Sequence, residues 1–388
     1  MTRNNYTCGI DIGTNSIKVI VVGFDKDKKE STILATGTSQ VSGMRLGYII
    51  NVDSVSEGIK KAIKQVESTL GTKIRKASVS IGGIGLGSVI STGSTIISKA
   101  DQEITKLDVV KVIENSEEGI DIINKKIIHT IPISYKLDGK DVYVRPEGLR
   151  GIKLEVKTLF VTCLKQNIED LITALSLAKI DIEEIIASPI ITGNVLLGIK
   201  QKTAGCVLVD IGAETVSTAV FENNIPISVQ ILPIGGMDIT KDIALGLKIS
   251  LEEAESIKMG SVIGGDYSKK KVDEIIEARL IDMFELIGNN LKRLKRSELL
   301  PAGVIITGGG SSINNIEEIA RTQLKLPVKV GPSDYSLNTK FKIRDNSWYT
   351  ALGLALSQDG SFSNDQTTSG NIKEVKSFFK SIFSQLLP

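Results

Sequence analysis

The chain has 388 residues, of which 41% are hydrophobic and 24% charged, and a net charge of +2. That length exceeds what one compact core accommodates, so two or more domains are expected. The balanced charge argues against nucleic-acid binding, no run of about eighteen apolar residues is available to span a membrane, and a single histidine excludes a histidine-rich metal site.

The chain opens with MTRNNYTCGIDIG and reaches its first glycine before any long apolar stretch, so no secretory signal is expected. GIDIGTNSIKVIVVG then reads as strand, turn, strand, with Asp11 inside the first apolar run. A carboxylate there costs several kcal/mol unless something compensates it, so Asp11 should have a partner. DSVSEGIKKAIKQVESTL places Ile59, Ala62, Ile63, Val66 and Leu70 on one helical face, and KASVSIGG returns to strand. Between residues 83 and 164 the character shifts. ITKLDVVKVIENSEEGI reads as helix, and IIHTIPISYKLDG and KLEVKTLFVTCL as strands joined by a turn at Asp138-Gly139, the pattern of a small α+β insertion. His129 lies in the strand-like KKIIHTIPISY and is read as structural. NIEDLITALSLA is a further helix.

CVLVDIGAETVSTAVF repeats the opening arrangement, with Asp210 in the place of Asp11, which suggests a duplicated unit. A helix-rich stretch, 238–300, precedes AGVIITGGGSSINNIEEIARTQL, and SWYTALGLALSQ closes as an apolar helix. Cys8, Cys163 and Cys206 sit in apolar runs without metal-ligand spacing, as reduced core residues of a cytosolic protein do. The halves alternate strands and helices, so the fold class is α/β with mixed sheets covered by helices.

Three glycine turns follow strands: Gly13-Thr14-Asn15-Ser16, Gly212-Ala213-Glu214-Thr215 and Gly308-Gly309-Gly310-Ser311-Ser312. Successive N–H groups in such turns form concave anion sites. Two of them beside Asp11 and Asp210 would suit a phosphate chain with Mg²⁺, held by the carboxylates through its retained waters. The third lacks an acid and opens toward a helix, which suits a nucleoside or α-phosphate.

GIDIGTNSIKV, VLVDIGAETVSTAVF and VIITGGGSSI resemble the two phosphate loops and the adenosine loop of the actin-like ATPases. Within that superfamily, EITKLDVVKVIE, IIHTIPISYKLDGK, PEGLRGIKLEVKTLFVT, EARLIDMFELI and ILPIGGMDITKDIALGLKISLEEAESIK resemble the FtsA family of bacterial cell division. The resemblance implies a two-lobed fold of duplicated mixed-sheet domains. Its parts are a first-lobe core at 1–82, 165–204 and 346–357, an FtsA-type insertion at 83–164, a second-lobe core at 205–237 and 301–345, and a helical subdomain at 238–300. A linker (358–371) and a terminal amphipathic helix (372–388) would follow. It further implies that ATP contacts Asp11, Gly13, Thr14, Asn15, Ser16 and Lys18 in the first loop and Asp210, Gly212, Ala213, Glu214 and Thr215 in the second. Gly308, Gly309, Gly310 and Ser311 would hold the adenosine, Gly235 and Gly236 an adjoining turn, and Glu255 and Lys258 the ribose and base. Ala213 and Glu214 stand where two glycines are usual, and a carboxylate at Glu214 would repel phosphate unless it points away or onto the metal. The turn IIASPIITGN lacks the acid or glutamine that kinases and chaperones of this fold carry, so hydrolysis is expected to be slow or negligible.

The implied role is that of an ATP-binding protein that polymerises with itself, binds the C-terminal tail of FtsZ and other division proteins, and works at the cytoplasmic face of the membrane at the division site. The tail would dock on the helical subdomain, where Arg279, Asn290, Lys292, Arg293, Lys295 and Arg296 suggest a basic surface. A pilus-assembly adaptor or a small-molecule kinase of the same fold are the alternatives. In the terminal segment, Val375, Phe378, Phe379, Ile382, Phe383, Leu386 and Leu387 form a broad apolar stripe edged by Lys373, Lys376 and Lys380. The linker DGSFSNDQTTSGN detaches it from the core, so it is expected to lie on an anionic membrane surface.

Overall fold

The computed structural model describes residues 6–25, 30–260, 268–332, 343 and 345–357. The expected linker and amphipathic segment, with Phe378, Phe379, Ile382, Phe383, Leu386, Lys376 and Lys380, lie outside the described residues. Strands β1 (Tyr6–Ile12), β2 (Ser16–Asp25) and β3 (Glu30–Gln40) form an antiparallel meander. A short hairpin, β4 (Met44–Arg45) and β5 (Tyr48–Ile49), leads into helix α1 (Val52–Leu70). Asn51 caps α1 by accepting from the Ser54 N–H, and Gly71 ends it in the left-handed region. Its buried face carries the expected Ile59, Ala62, Ile63 and Val66, each Ile or Val stabilising by about 1.5–3 kcal/mol. Strand β6 (Lys76–Ile81) then pairs parallel to β1.

The insertion follows: β7 (Gly87–Ile96), α2 (Lys106–Glu117), β8 (Lys125–Leu137), β9 (Lys140–Val142) and β10 (Lys153–Leu164). Asp138 and Gly139 do make a turn, both with positive φ, but it joins β8 to the short β9 and not to β10. The Asp138 carboxylate instead accepts from the N–H groups of Ile152 and Lys153, pinning the start of β10 beside it. His129 is buried, its Nε2 accepting from the Ala187 N–H at 3.0 Å, and burial lowers its pKa to about 4. Helix α3 (Lys165–Leu177), strand β11 (Asp181–Ala187) and helices α4 (Ser188–Leu196) and α5 (Ile199–Ala204) complete the first half. The first sheet runs β11-β6-β1-β2-β3.

The second half repeats this plan. Strands β12 (Cys206–Ile211), β13 (Val216–Glu222) and β14 (Ile225–Leu232) form another antiparallel meander. Helices α6 (Gly236–Leu247), α7 (Leu251–Lys258) and α8 (Lys269–Arg293) precede β15 (Val304–Thr307), α9 (Ile316–Leu324) and β16 (Val328–Val330). The order β16-β15-β12-β13-β14, with β12 parallel to β15 and β15 to β16, matches the first sheet strand for strand. This sheet continues through β14 into β7, β10, β8 and β9, so the insertion extends the second lobe's sheet. Ser88 secures the join, its hydroxyl donating to Val229 O at 3.0 Å and accepting from Val229 N at 2.7 Å. Helix α10 (Tyr349–Ser357) returns to cover β1 and β2. Cys8, Cys163 and Cys206 are free and buried, and no described helix is long and apolar enough to cross a membrane.

Candidate functional site

Asp11 and Asp210 occupy the same place in their lobes, next to last in β1 and β12, each before a tight turn. Gly13 N bonds Ser16 O at 3.1 Å and Gly212 N bonds Thr215 O at 2.9 Å, so the two turns close alike. Both aspartates line a cleft of about 570 Å³ between the lobes. Asp11 accepts from the Ser80 hydroxyl at 2.7 Å, and Lys18, its cross-strand partner in β2, lies nearby with Nζ on Ser16 Oγ at 2.9 Å. Burial raises the Asp11 pKa against the opposing pull of Lys18 and Ser80. Burial, then the charge of Asp11, push Asp210 up to about 7, again opposed by Lys18. Two carboxylates that resist ionising together, each followed by a glycine turn that lines the same cleft, are an oxygen-only donor set suited to a hydrated divalent cation with phosphate.

The adenosine-loop candidate crosses the same floor. Gly308 has φ +86°, and a Cβ there would stand 2.3 Å from Asp210 Oδ1, so only glycine fits. Residues Gly309–Ser312 form a single 3₁₀ turn, and α9 starts only at Ile316, later than the sequence suggested. The Lys258 side chain is only 8% exposed, donating to Glu255 Oε2 at 2.6 Å, Thr240 Oγ1 at 2.8 Å and Gly236 O at 3.1 Å. The pair thus lines the cleft with its lysine shielded and its glutamate partly exposed.

Of the residues expected here, Asp11, Gly13, Thr14, Asn15, Ser16 and Lys18 line the cleft from the first lobe. Asp210, Gly212, Ala213, Thr215, Gly236, Glu255, Lys258, Gly308, Gly309 and Gly310 line it from the second. Three take other places. Gly235 is the N-cap of α6, its N–H held by Asp238 at 2.9 Å. Ser311 is buried, donating to Gly308 O at 2.7 Å and accepting from Asn346 Nδ2 at 2.9 Å, so it shapes the loop from behind. Glu214 turns across to the first lobe, where its carboxylate accepts from the Leu46 N–H at 2.6 Å. Ser80, Ser188, Asn346 and Thr350 line the cleft without having been foreseen. Ser80 shares its strand with the fully buried Ser78, and no local signal separates the two.

The expected basic surface on the helical subdomain needs correction. Arg279 is engaged by Asp242 through Nε at 2.6 Å and Nη2 at 3.0 Å, and the Nε–Nη2 edge of Arg296 meets both carboxylate oxygens of Glu222. Asn290 is buried because it shares the core face of α8 with Met283, Phe284, Ile287 and Leu291. Arg293 remains at the surface, reaching Gln230 Oε1 at 3.2 Å.

The sequence profile described as "Cell division protein FtsA" matches residues 207–353, and that of the "SHS2 domain inserted in FTSA" matches residues 84–162. The Cell division protein FtsA of Bacillus subtilis is 30% identical over 375 residues, covering 91% of this chain and 83% of that protein. Its counterpart from Pseudomonas aeruginosa is 28% identical, covering 90% and 88%. Among solved structures, a PilM-PilN type IV pilus biogenesis complex aligns with a TM-score of 0.67 at 17% identity, covering 90% of this chain and 97% of that one. MreB5 of Spiroplasma citri bound to ADP aligns at 0.51 and 13% identity, covering 93% and 99%. Duplicated five-strand units facing each other across one cleft therefore define an actin-like ATPase fold. With the inserted SHS2 domain in its first half, the chain belongs to the FtsA family of cell-division proteins.

Proposed function

We propose that this chain is an ATP-binding, actin-like division protein that polymerises, binds the FtsZ tail and ties the FtsZ ring to the cytoplasmic membrane. The observation that carries the reading is the convergence of two aspartate-glycine turns and the Gly308–Gly310 loop on one cleft in a chain of the FtsA family. The N–H groups of the Gly13 and Gly212 turns would receive the phosphates, and Lys18 would offset their charge from the cleft floor. Asp11 and Asp210 would hold Mg²⁺, which neutralises phosphate charge when bound. The open backbone at Gly309 leaves room for adenosine, and the Glu255–Lys258 pair would present polar atoms to the ribose. At the turn that opens α4 the cleft receives Ser188, a residue without a carboxylate to activate water, which supports slow or negligible hydrolysis.

Two measurements test this reading. Asp210→Ala should weaken Mg²⁺-dependent ATP binding at least tenfold by calorimetry, since it removes half the donor set; an unchanged affinity would place the nucleotide elsewhere. An FtsZ C-terminal peptide should bind the full chain by fluorescence anisotropy. Absence of binding would favour the pilus-adaptor alternative.

A further inference from the structure

We propose that Glu214 is a clasp that holds the lobes together over the phosphate end of the cleft and sets how fast nucleotide leaves; the second clause rests on the reading above. Glu214 belongs to the second phosphate loop, yet its Oε2 accepts from the N–H of Leu46 in the first lobe at 2.6 Å. Its Oε1 lies 3.7 Å from the Arg45 guanidinium, and its side chain is only 16% exposed. The acceptor is thus a shielded carboxylate and the contact a charge-assisted hydrogen bond.

Its position gives it leverage. Leu46 and Gly47 form the two-residue turn between β4 and β5, with φ +49° and +78°, which turns the Leu46 N–H toward the other lobe. Leu46 O accepts from Ile84 N at 3.2 Å, and Gly47 packs directly on Gly83. Gly47, Gly82 and Gly83 all line the cleft. One side chain therefore ties a phosphate loop of the second lobe to the first-lobe backbone that walls the same cleft. A glycine at this position would leave the loop without that tie, which accounts for a glutamate that could not face phosphate.

The test compares the parent chain with Glu214→Ala, Glu214→Gln and Arg45→Ala. Amide hydrogen exchange over residues 43–50 in nucleotide-free protein reads the clasp alone, and the departure of a fluorescent ATP analogue chased with ATP reads its effect on the cleft. In Glu214→Ala, exchange at 43–50 should rise and the analogue should leave about tenfold faster. Glu214→Gln keeps an acceptor for the Leu46 N–H and should recover most of both effects, and Arg45→Ala should show a smaller change in each. Unchanged exchange in Glu214→Ala overturns the clasp. Faster exchange with unchanged analogue departure overturns its control of the nucleotide. If the parent holds no analogue, the nucleotide reading has failed, and the exchange measurement alone stands for or against the clasp.

Discussion

Gly308 shows how tightly single positions are fixed at the cleft floor. Its backbone lies at φ +86° and ψ 173°, a region that residues with a Cβ occupy only under strain. Gly308→Ala should therefore destabilise the chain by about 1–3 kcal/mol and push its methyl onto Asp210. Thermal melting should show the loss, and calorimetry should show Mg²⁺-dependent ATP binding weakened with it; parent-like binding would separate this loop from the nucleotide. His129 makes a prediction of a different kind. Its folded pKa, about 4, lies below the ordinary value of 6.5, so the unfolded chain binds more protons between those limits. Its contribution is complete above pH 6.5 and is lost as the pH falls toward 4, by at most roughly 3 kcal/mol. As the chain's one imidazole, it gives an unambiguous NMR titration. The stability of the parent relative to His129→Gln in denaturant melts should fall between pH 6.5 and 5, the difference isolating the imidazole from Asp210, whose raised pKa acts in the opposite direction; a titration near 6.5 would contradict its burial. At this scale the aspartates and glycines were legible because a charge or a missing side chain inside an apolar run is conspicuous. Ser80 and Asn346 were not, because a hydroxyl or amide that reaches the cleft from another strand or turn leaves no mark in its own neighbourhood.

Helix α8 shows what element-level reading recovers and where it fails. The stretch 238–300 was legible as helix-rich, but the run NNLKRLKR obscures the helical phase, and Asn290 falls on the core side of it. Charge alone also suggested that Arg279 was available, whereas Asp242 of α6 holds it in two hydrogen bonds and so joins the two helices. Reversal at Arg279 should cost about 1 kcal/mol of stability, because Asp242 would then face a like charge. Arg293 makes the cleaner test of tail docking. Arg293→Glu should keep the parent's thermal midpoint and lower FtsZ-peptide affinity in anisotropy, whereas parent-like affinity would move the docking surface off this end of α8. The insertion was readable as helix and strands, but β9 is too short to carry a pattern, so the Asp138-Gly139 turn was assigned to the wrong pair of strands.

The duplicated unit was the most legible feature of the molecule as a whole, because each lobe repeats both its motif and its strand order. The sheet shared by the insertion and the second lobe was not, since Ser88 and Val229 are 141 positions apart in the chain. The proposed membrane attachment rests on the segment from residue 370 onward. Removing residues from 370 onward should release it from anionic liposomes in sedimentation while leaving ATP binding intact, and a truncated chain that still pellets would put the anchor elsewhere. Filaments would strengthen such attachment by presenting many weakly binding terminal segments at once.

Helix α10 seats against the very first strand. The Thr7 hydroxyl donates to Ala355 O across 348 positions, and Gly9 lets the helix approach so closely that a Cβ there would stand 2.3 Å from Ala351 O. During synthesis at about 5–20 residues per second, β1 therefore waits roughly 20–70 s for the helix that covers it. Over that interval one face of the first sheet is open to water and to other nascent chains, and the second lobe can close its own core before the first does. The lobe that begins the chain is the last to mature.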